Sequence, residues 1–164
     1  MRRSACALSA LCALATVVGS ADAQMRLGGH VAKVASLDQL SSLEGDFGVG
    51  GRVGVEFPLL PIGVYGSVTH YFPENSYWTG SVFGKVGLPI PFVSPYGILG
   101  VQRKTWQIVA EGQSPSVTEF LVGLGLEVGP VFFEGSVNLS KDERRLSSVD
   151  TDLLNLKGGF VIGK

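Results

Sequence analysis

The chain has 164 residues, with 13 Lys and Arg against 14 Asp and Glu, 23 glycines and two cysteines. A formal net charge of −1 excludes the basic footprint of a nucleic-acid binder and of a polybasic membrane-surface helix. The length suits one domain, and no low-complexity linker divides it.

The first element is a leader. Arg2 and Arg3 precede an uncharged, Ala/Leu/Val-rich run from Ser4 to Val18, and Ala21 and Ala23 stand where a small-residue cleavage site needs them. The apolar run is about fifteen residues, short of the roughly 20 that span a bilayer as a helix. Residues 1–23 are therefore expected to be a cleaved signal peptide, with the mature chain beginning near Gln24. Cleavage removes Cys6 and Cys12 and leaves 11 basic and 13 acidic residues. An exported domain without cysteine must be held by its core or its surroundings, not by disulfides.

From there the chain reads as strands. Weak alternation runs through 25–35. Between Asp46 and Phe57 the apolar residues Phe47, Val49, Val53 and Val55 alternate with Gly48, Gly50, Arg52, Gly54 and Glu56, a period of two that marks a strand with one apolar face. Weaker alternation covers 62–72, 77–88 and 95–106. It returns clearly at Val117–Val128, where Phe120, Val122, Leu124 and Leu126 oppose Glu119, Gly123, Gly125 and Glu127, with Leu121 as the exception. Val131–Ser140 and the segment from Leu154 to Ile162 complete eight. Glycine every few residues argues against helix throughout.

The breaks alternate in kind. Short Pro/Gly turns fall at Pro58–Pro61, Pro89–Pro91 and Gly129-Pro130, while polar connections fall at 36–45, 73–76, 107–116 and 141–151. All tight turns then lie at one end of the sheet, the asymmetry of a transmembrane barrel with short periplasmic turns and longer outer loops. The expected fold is all-β: an eight-stranded antiparallel up-and-down transmembrane barrel in the outer membrane.

A secreted, lipocalin-like soluble barrel binding an apolar ligand would also alternate. Its outer face would be rich in charge, whereas the non-apolar face here is mostly Gly and Ser. Aromatics also gather at strand ends, as lipid interfaces select. Phe47, Phe72, Tyr77, Trp78, Trp106 and Phe120 are assigned to the long-loop girdle. Phe57, Phe92, Tyr96, Phe132, Phe133 and Phe160 are assigned to the tight-turn girdle.

The segment Gly63-Val-Tyr-Gly-Ser-Val-Thr-His-Tyr-Phe-Pro-Glu-Asn-Ser-Tyr-Trp78 resembles the third-to-fourth strand hairpin of the outer-membrane β-barrel domain family, small eight-stranded bacterial outer-membrane proteins. Pro95-Tyr-Gly-Ile-Leu-Gly-Val101 resembles that family's fifth strand, and Gly123-Leu-Gly-Leu-Glu-Val-Gly-Pro-Val-Phe-Phe-Glu134 its sixth-to-seventh strand turn. The resemblance covers most of residues 24–164 and implies an integral barrel inserted by the barrel-assembly machinery. Such barrels commonly finish on an aromatic, whereas this sequence reads Phe160-Val-Ile-Gly-Lys164.

Chemistry is sparse. His30 and His70 have no cysteine partners in the mature chain, too few ligands for zinc, and are read as loop or interface histidines. Ser67, His70 and Glu74 could be drawn as the triad of an outer-membrane lipid-modifying enzyme. However, Ser67 and His70 are three apart on a strand and face opposite sides, and no nucleophile-elbow pattern surrounds any serine. No enzyme activity and no cofactor is expected. The charges Arg52, Glu56, Lys85, Lys104, Glu119, Glu127, Glu134 and Lys157 are assigned to the lumen as a plug of paired charges, because solitary buried charges are heavily penalised. An acid–base site is the alternative reading of that cluster. Arg144 and Arg145, in a polar outer loop, are candidate contacts to lipopolysaccharide phosphates. The expected role is structural or surface-interacting, without general porin activity; the extracellular ligand stays open.

Overall fold

Alternating apolar and small residues dictate a two-faced ribbon, and the computed structural model closes that ribbon on itself. It describes residues 23–35, 45–57, 61–73, 76–88, 90, 92–106, 116–139 and 154–163. Residues 1–22, 36–44, 58–60, 107–115 and 140–153 lie outside the described residues; among them are most of the expected leader, Arg144 and Arg145, and Glu74 lies outside as well.

The eight strands are β1 (Gln24–Ala35), β2 (Asp46–Phe57), β3 (Ile62–Tyr71), β4 (Tyr77–Gly87), β5 (Ser94–Trp106), β6 (Ser116–Val128), β7 (Val131–Leu139) and β8 (Leu154–Gly163). Each pairs with the next, and β1 pairs antiparallel with β8 from Arg26↔Gly163 to Ala35↔Leu154, so the sheet is a closed barrel. Closure leaves no edge strand with unpaired N–H and C=O groups. The tight turns are tied by backbone bonds, for example Gly87 N–H to the Pro61 carbonyl at 2.7 Å. Gly129 turns β6 into β7 at φ +58°, a conformation glycine reaches without a Cβ penalty.

The apolar face points outward. Val31, Val53, Val68, Val82, Leu99 and Leu124 are all exposed, Leu124 at 75%. The bore is filled by rings and polar groups. Tyr65, Tyr71, Tyr77, Phe83, Tyr96 and Phe132 are each 4% exposed or less. This corrects the assignment of Tyr77, Tyr96 and Phe132 to the lipid girdles. Trp106 is also turned inward, packed on the cluster of Ala32, Tyr71 and Tyr77. Strand parity overrides position along the strand: Tyr96 shares its face with Ile98 and Gln102, both buried. Phe47, Phe72, Trp78 and Phe120 at one end, with Phe92, Phe133 and Phe160 at the other, remain outside.

The rings account for glycine at particular inward positions. A Cβ at Gly54 would overlap the Tyr65 ring, and one at Gly125 the Tyr96 ring, whereas a Cβ at Gly66 on the outer face would meet nothing within 4 Å. Overpacking costs about 1–3 kcal/mol, so Gly125→Ala should lower the temperature at which the folded, fast-migrating band is lost on a gel. Gly66→Ala should leave it unchanged. Equal heat stability of the two variants would contradict the ring-seat role of Gly125.

Candidate functional site

The inward face of the barrel gathers the charges into three levels. Nearest the tight turns, Arg26 on β1, Glu56 on β2, Lys85 on β4 and Glu127 on β6 form a closed ring of ion pairs. Lys85 Nζ lies 2.7 Å from Glu56 and 2.5 Å from Glu127; Arg26 pairs with Glu127 and, at 3.4 Å, with Glu56. The Tyr65 hydroxyl donates to Glu56 Oε1 at 2.6 Å. Two cations against two carboxylates make this level neutral.

At mid-height, Arg52 Nη1 donates to Glu134 Oε1 at 2.5 Å, and the side chains are only 5% and 4% exposed. The Tyr96 hydroxyl donates to the same oxygen at 2.8 Å. The Arg52 guanidinium lies 3.3 Å from the Phe132 ring centre, a cation over a π face. Lys157 stands directly across the β7–β8 ladder from Glu134 and is itself buried. His30, buried beside them, bonds through Nε2 to Thr69 Oγ1 at 2.9 Å. His30 is therefore a lumen residue, correcting its reading as a loop or interface histidine. Its parity on β1 matches Arg26 and Ala32, both inward.

The third level opens toward the long loops. Lys104 Nζ sits 3.8 Å from the Tyr77 ring centre and 4.9 Å from that of Trp106. Glu119 accepts from Asn138 Nδ2 at 2.9 Å, and Asp46 accepts from the Tyr77 hydroxyl at 2.9 Å. Among the described residues Lys104 and Glu119 form no ion pair within 4.0 Å, so here the bore is polar without being locked.

All eight charges assigned to the lumen from sequence lie on the inner face, but only Arg52, Glu56, Lys85, Glu127 and Glu134 are brought into ion pairs among the described residues. Sequence reasoning missed Arg26, which completes the lower ring. The signal was present: Met25 and Leu27 flank it, and both are exposed outside. It also missed the tyrosine hydroxyls that share the carboxylates. Ser67 lies in the bore while His70 is stacked outside on Trp78 at 4.3 Å, so the two cannot act together.

The N-terminal β-barrel domain of Pseudomonas aeruginosa OprF is similar over 85% of this chain and 97% of its own, with a TM-score of 0.60 and 14% identity. Neisserial surface protein A (NspA) is similar over 86% and 95%, with a TM-score of 0.50 and 13% identity. Likeness at this identity is a likeness of fold. No protein-family model and no curated protein matches the chain.

The three levels rank the carboxylates. Removing one partner of a fully buried ion pair costs about 3–5 kcal/mol because a charge is left unpaired. Glu134→Ala should therefore lower heat stability most. Glu127→Ala should cost less, because its side chain is 12% exposed and Glu56 still serves both cations. Glu119→Ala should cost least. Thermal gel-shift midpoints in one detergent give the order, and a Glu134→Ala variant as stable as the parent would contradict the mid-height lock.

Proposed function

We propose that this chain, freed of its leader at Ala23, is a small integral outer-membrane barrel with a structural or surface-interaction role, its lumen closed by paired charges and not serving as a general porin. The observation that carries the reading is the inversion of the barrel: apolar outside, charged inside. A soluble barrel would expose to water a continuous belt that includes Val31, Val53, Val82, Leu99 and Leu124, far beyond the apolar patches monomeric soluble proteins tolerate. In hydrocarbon the same belt is at rest, and the closed ladder satisfies the backbone.

The ends of the belt fit the two interfaces of a bilayer. Toward the long loops, outward Lys33 lies over the Phe47 ring, His70 stacks on Trp78, and exposed Arg103 donates to Ser116 Oγ at 2.7 Å. Cations beside aromatics are what the headgroup level accepts. Toward the tight turns, Leu88, Ile90 and Phe92 are exposed without any charge among them. The partners this implies are outer-membrane lipid, lipopolysaccharide through the basic outer positions and Arg144 and Arg145, and the assembly machinery during insertion. The likeness to two outer-membrane barrels supports the location.

Extraction of membranes with carbonate or urea should leave the protein in the pellet; release into the soluble fraction would overturn the reading. On intact cells an impermeant maleimide should label Ser114→Cys and not Leu60→Cys, and the opposite pattern would invert the orientation. Arg at the lipid-facing midplane costs about 2–4 kcal/mol, so Leu124→Arg should reduce the assembled fraction. Normal assembly of that variant would mean that the outer face does not meet lipid. In planar bilayers the purified barrel should show no large, steady conductance; a stable porin-like channel would overturn the plug.

A further inference from the structure

The outer third of the bore holds a cavity of about 350 Å³ above the locked mid-height level. It is at the small end of ligand pockets, ~300–1,000 Å³. Its walls include Tyr71, Gln102, Lys104, Trp106, Glu119 and Asn138, drawn from four different strands. Its hydrogen bonding is incomplete. Among the described residues the buried Asn138 Oδ1 has no hydrogen-bond partner, and the hydroxyl of Tyr71, a residue with 0% exposure, has only Thr79 beside it without a well-formed bond. An unbonded buried polar atom is costly, so two of them lining one cavity mark places where a guest supplies the missing bonds.

The wall chemistry selects the guest. Lys104 and Glu119 are one cation and one anion, so the lining carries no net charge to attract a strong ion. Asn138 offers a free acceptor, and Tyr71 a hydroxyl that both donates and accepts. Gln102 and Asn155 add neutral amides and Thr79 a hydroxyl, while Trp106 adds an apolar ring. Planar amides and a carboxylate that bind vicinal hydroxyls, beside an aromatic surface that covers C–H groups, are the chemistry that recognises a sugar ring.

We propose that the outer vestibule of the barrel is a binding site for a single uncharged sugar unit, held by Tyr71, Asn138 and Glu119 against Trp106. The proposal rests on the reading that the long loops face outward, which exposes the vestibule to sugars outside the cell. Two sources share the chemistry: free or host-borne sugars, and the core sugars of the membrane's own lipopolysaccharide. The mid-height lock beneath the cavity makes it a cup that holds its guest and passes nothing on.

The test uses the full mature chain in a detergent without a sugar headgroup, so that no detergent competes. Trp78→Phe serves as background, leaving Trp106 as the reporter, since the chain has two tryptophans. A panel of neutral monosaccharides and core oligosaccharide released from lipopolysaccharide are titrated separately, with Trp106 fluorescence and saturation-transfer NMR as readouts. At least one should bind saturably, and Tyr71→Phe or Asn138→Leu should weaken it by about tenfold, the scale of a lost hydrogen bond. Gly66→Ala, on the outer face, should leave it unchanged. Binding of monosaccharides points to the external source, and binding of the core oligosaccharide alone to the membrane's own. No saturable binding in either arm, or binding of equal strength in both vestibule variants with the folded gel band intact, overturns the site. Because micelles have no sidedness, failure here leaves the membrane orientation standing, and inverted maleimide labelling leaves the cup standing without its proposed source.

Discussion

Closure of the sheet is the constraint on which everything else depends. Once β1 pairs with β8, every backbone donor and acceptor in the ladder has a partner, and the strand period of two sends alternate side chains into a bore of fixed width. Nothing placed inside can be left loose or unpaired without loss of stability. The outward half of each strand is freed to be plainly apolar, which is why valine and leucine dominate it. The chain therefore has two independent design problems, one per face, written in alternating letters.

The inner problem is solved by giving tyrosine two jobs. The ring takes up volume that charged side chains alone would fill poorly, and the hydroxyl delivers a hydrogen bond to a carboxylate already engaged with a cation. Tyr65 does this for Glu56 and Tyr96 for Glu134. Each ring lies over a glycine on the neighbouring strand, Gly54 and Gly125, where any side chain would collide. At these two positions glycine follows from the size of the ring opposite it. The carboxylates gain a second donor, and a buried charge pair is stabilising only when its remaining lone pairs are also satisfied.

Most of the architecture was legible in the residues because period-two patterning states the face directly. Eight segments, their breaks and the membership of eight charges on one face follow from parity. Parity blurred where inward residues are themselves large and apolar: Leu121, Ile98 and Phe132 are buried in the bore, and their hydropathy resembles that of the lipid face. Position along the strand is the only guide to the aromatics at strand ends, and it misplaces Tyr77, Tyr96, Phe132 and Trp106 because girdle residues and lumen residues occupy the same heights. Pairing across the bore was beyond the sequence altogether. Arg52 and Glu134 are far apart in the chain and on strands that are not neighbours, and only the closed circumference makes them meet.

The levels of the bore are not equivalent, and the difference assigns a direction to the molecule. The lower ring and the mid-height lock use multivalent pairs in which each carboxylate meets more than one donor, so neither opens by breaking a single contact. The upper level holds its cation over Tyr77 and Trp106, with its carboxylate turned to Asn138. A cation on an aromatic face is bound through the ring quadrupole at about 0.5–2 kcal/mol, a hold that a guest with good hydrogen bonds can displace. Ion pairing is thus concentrated toward the tight turns, and more weakly held polar groups toward the long loops. A barrel built to conduct would need its polar groups to line a continuous path. On the proposed reading, the gradient suits a closed-bottom cup that opens toward the long loops.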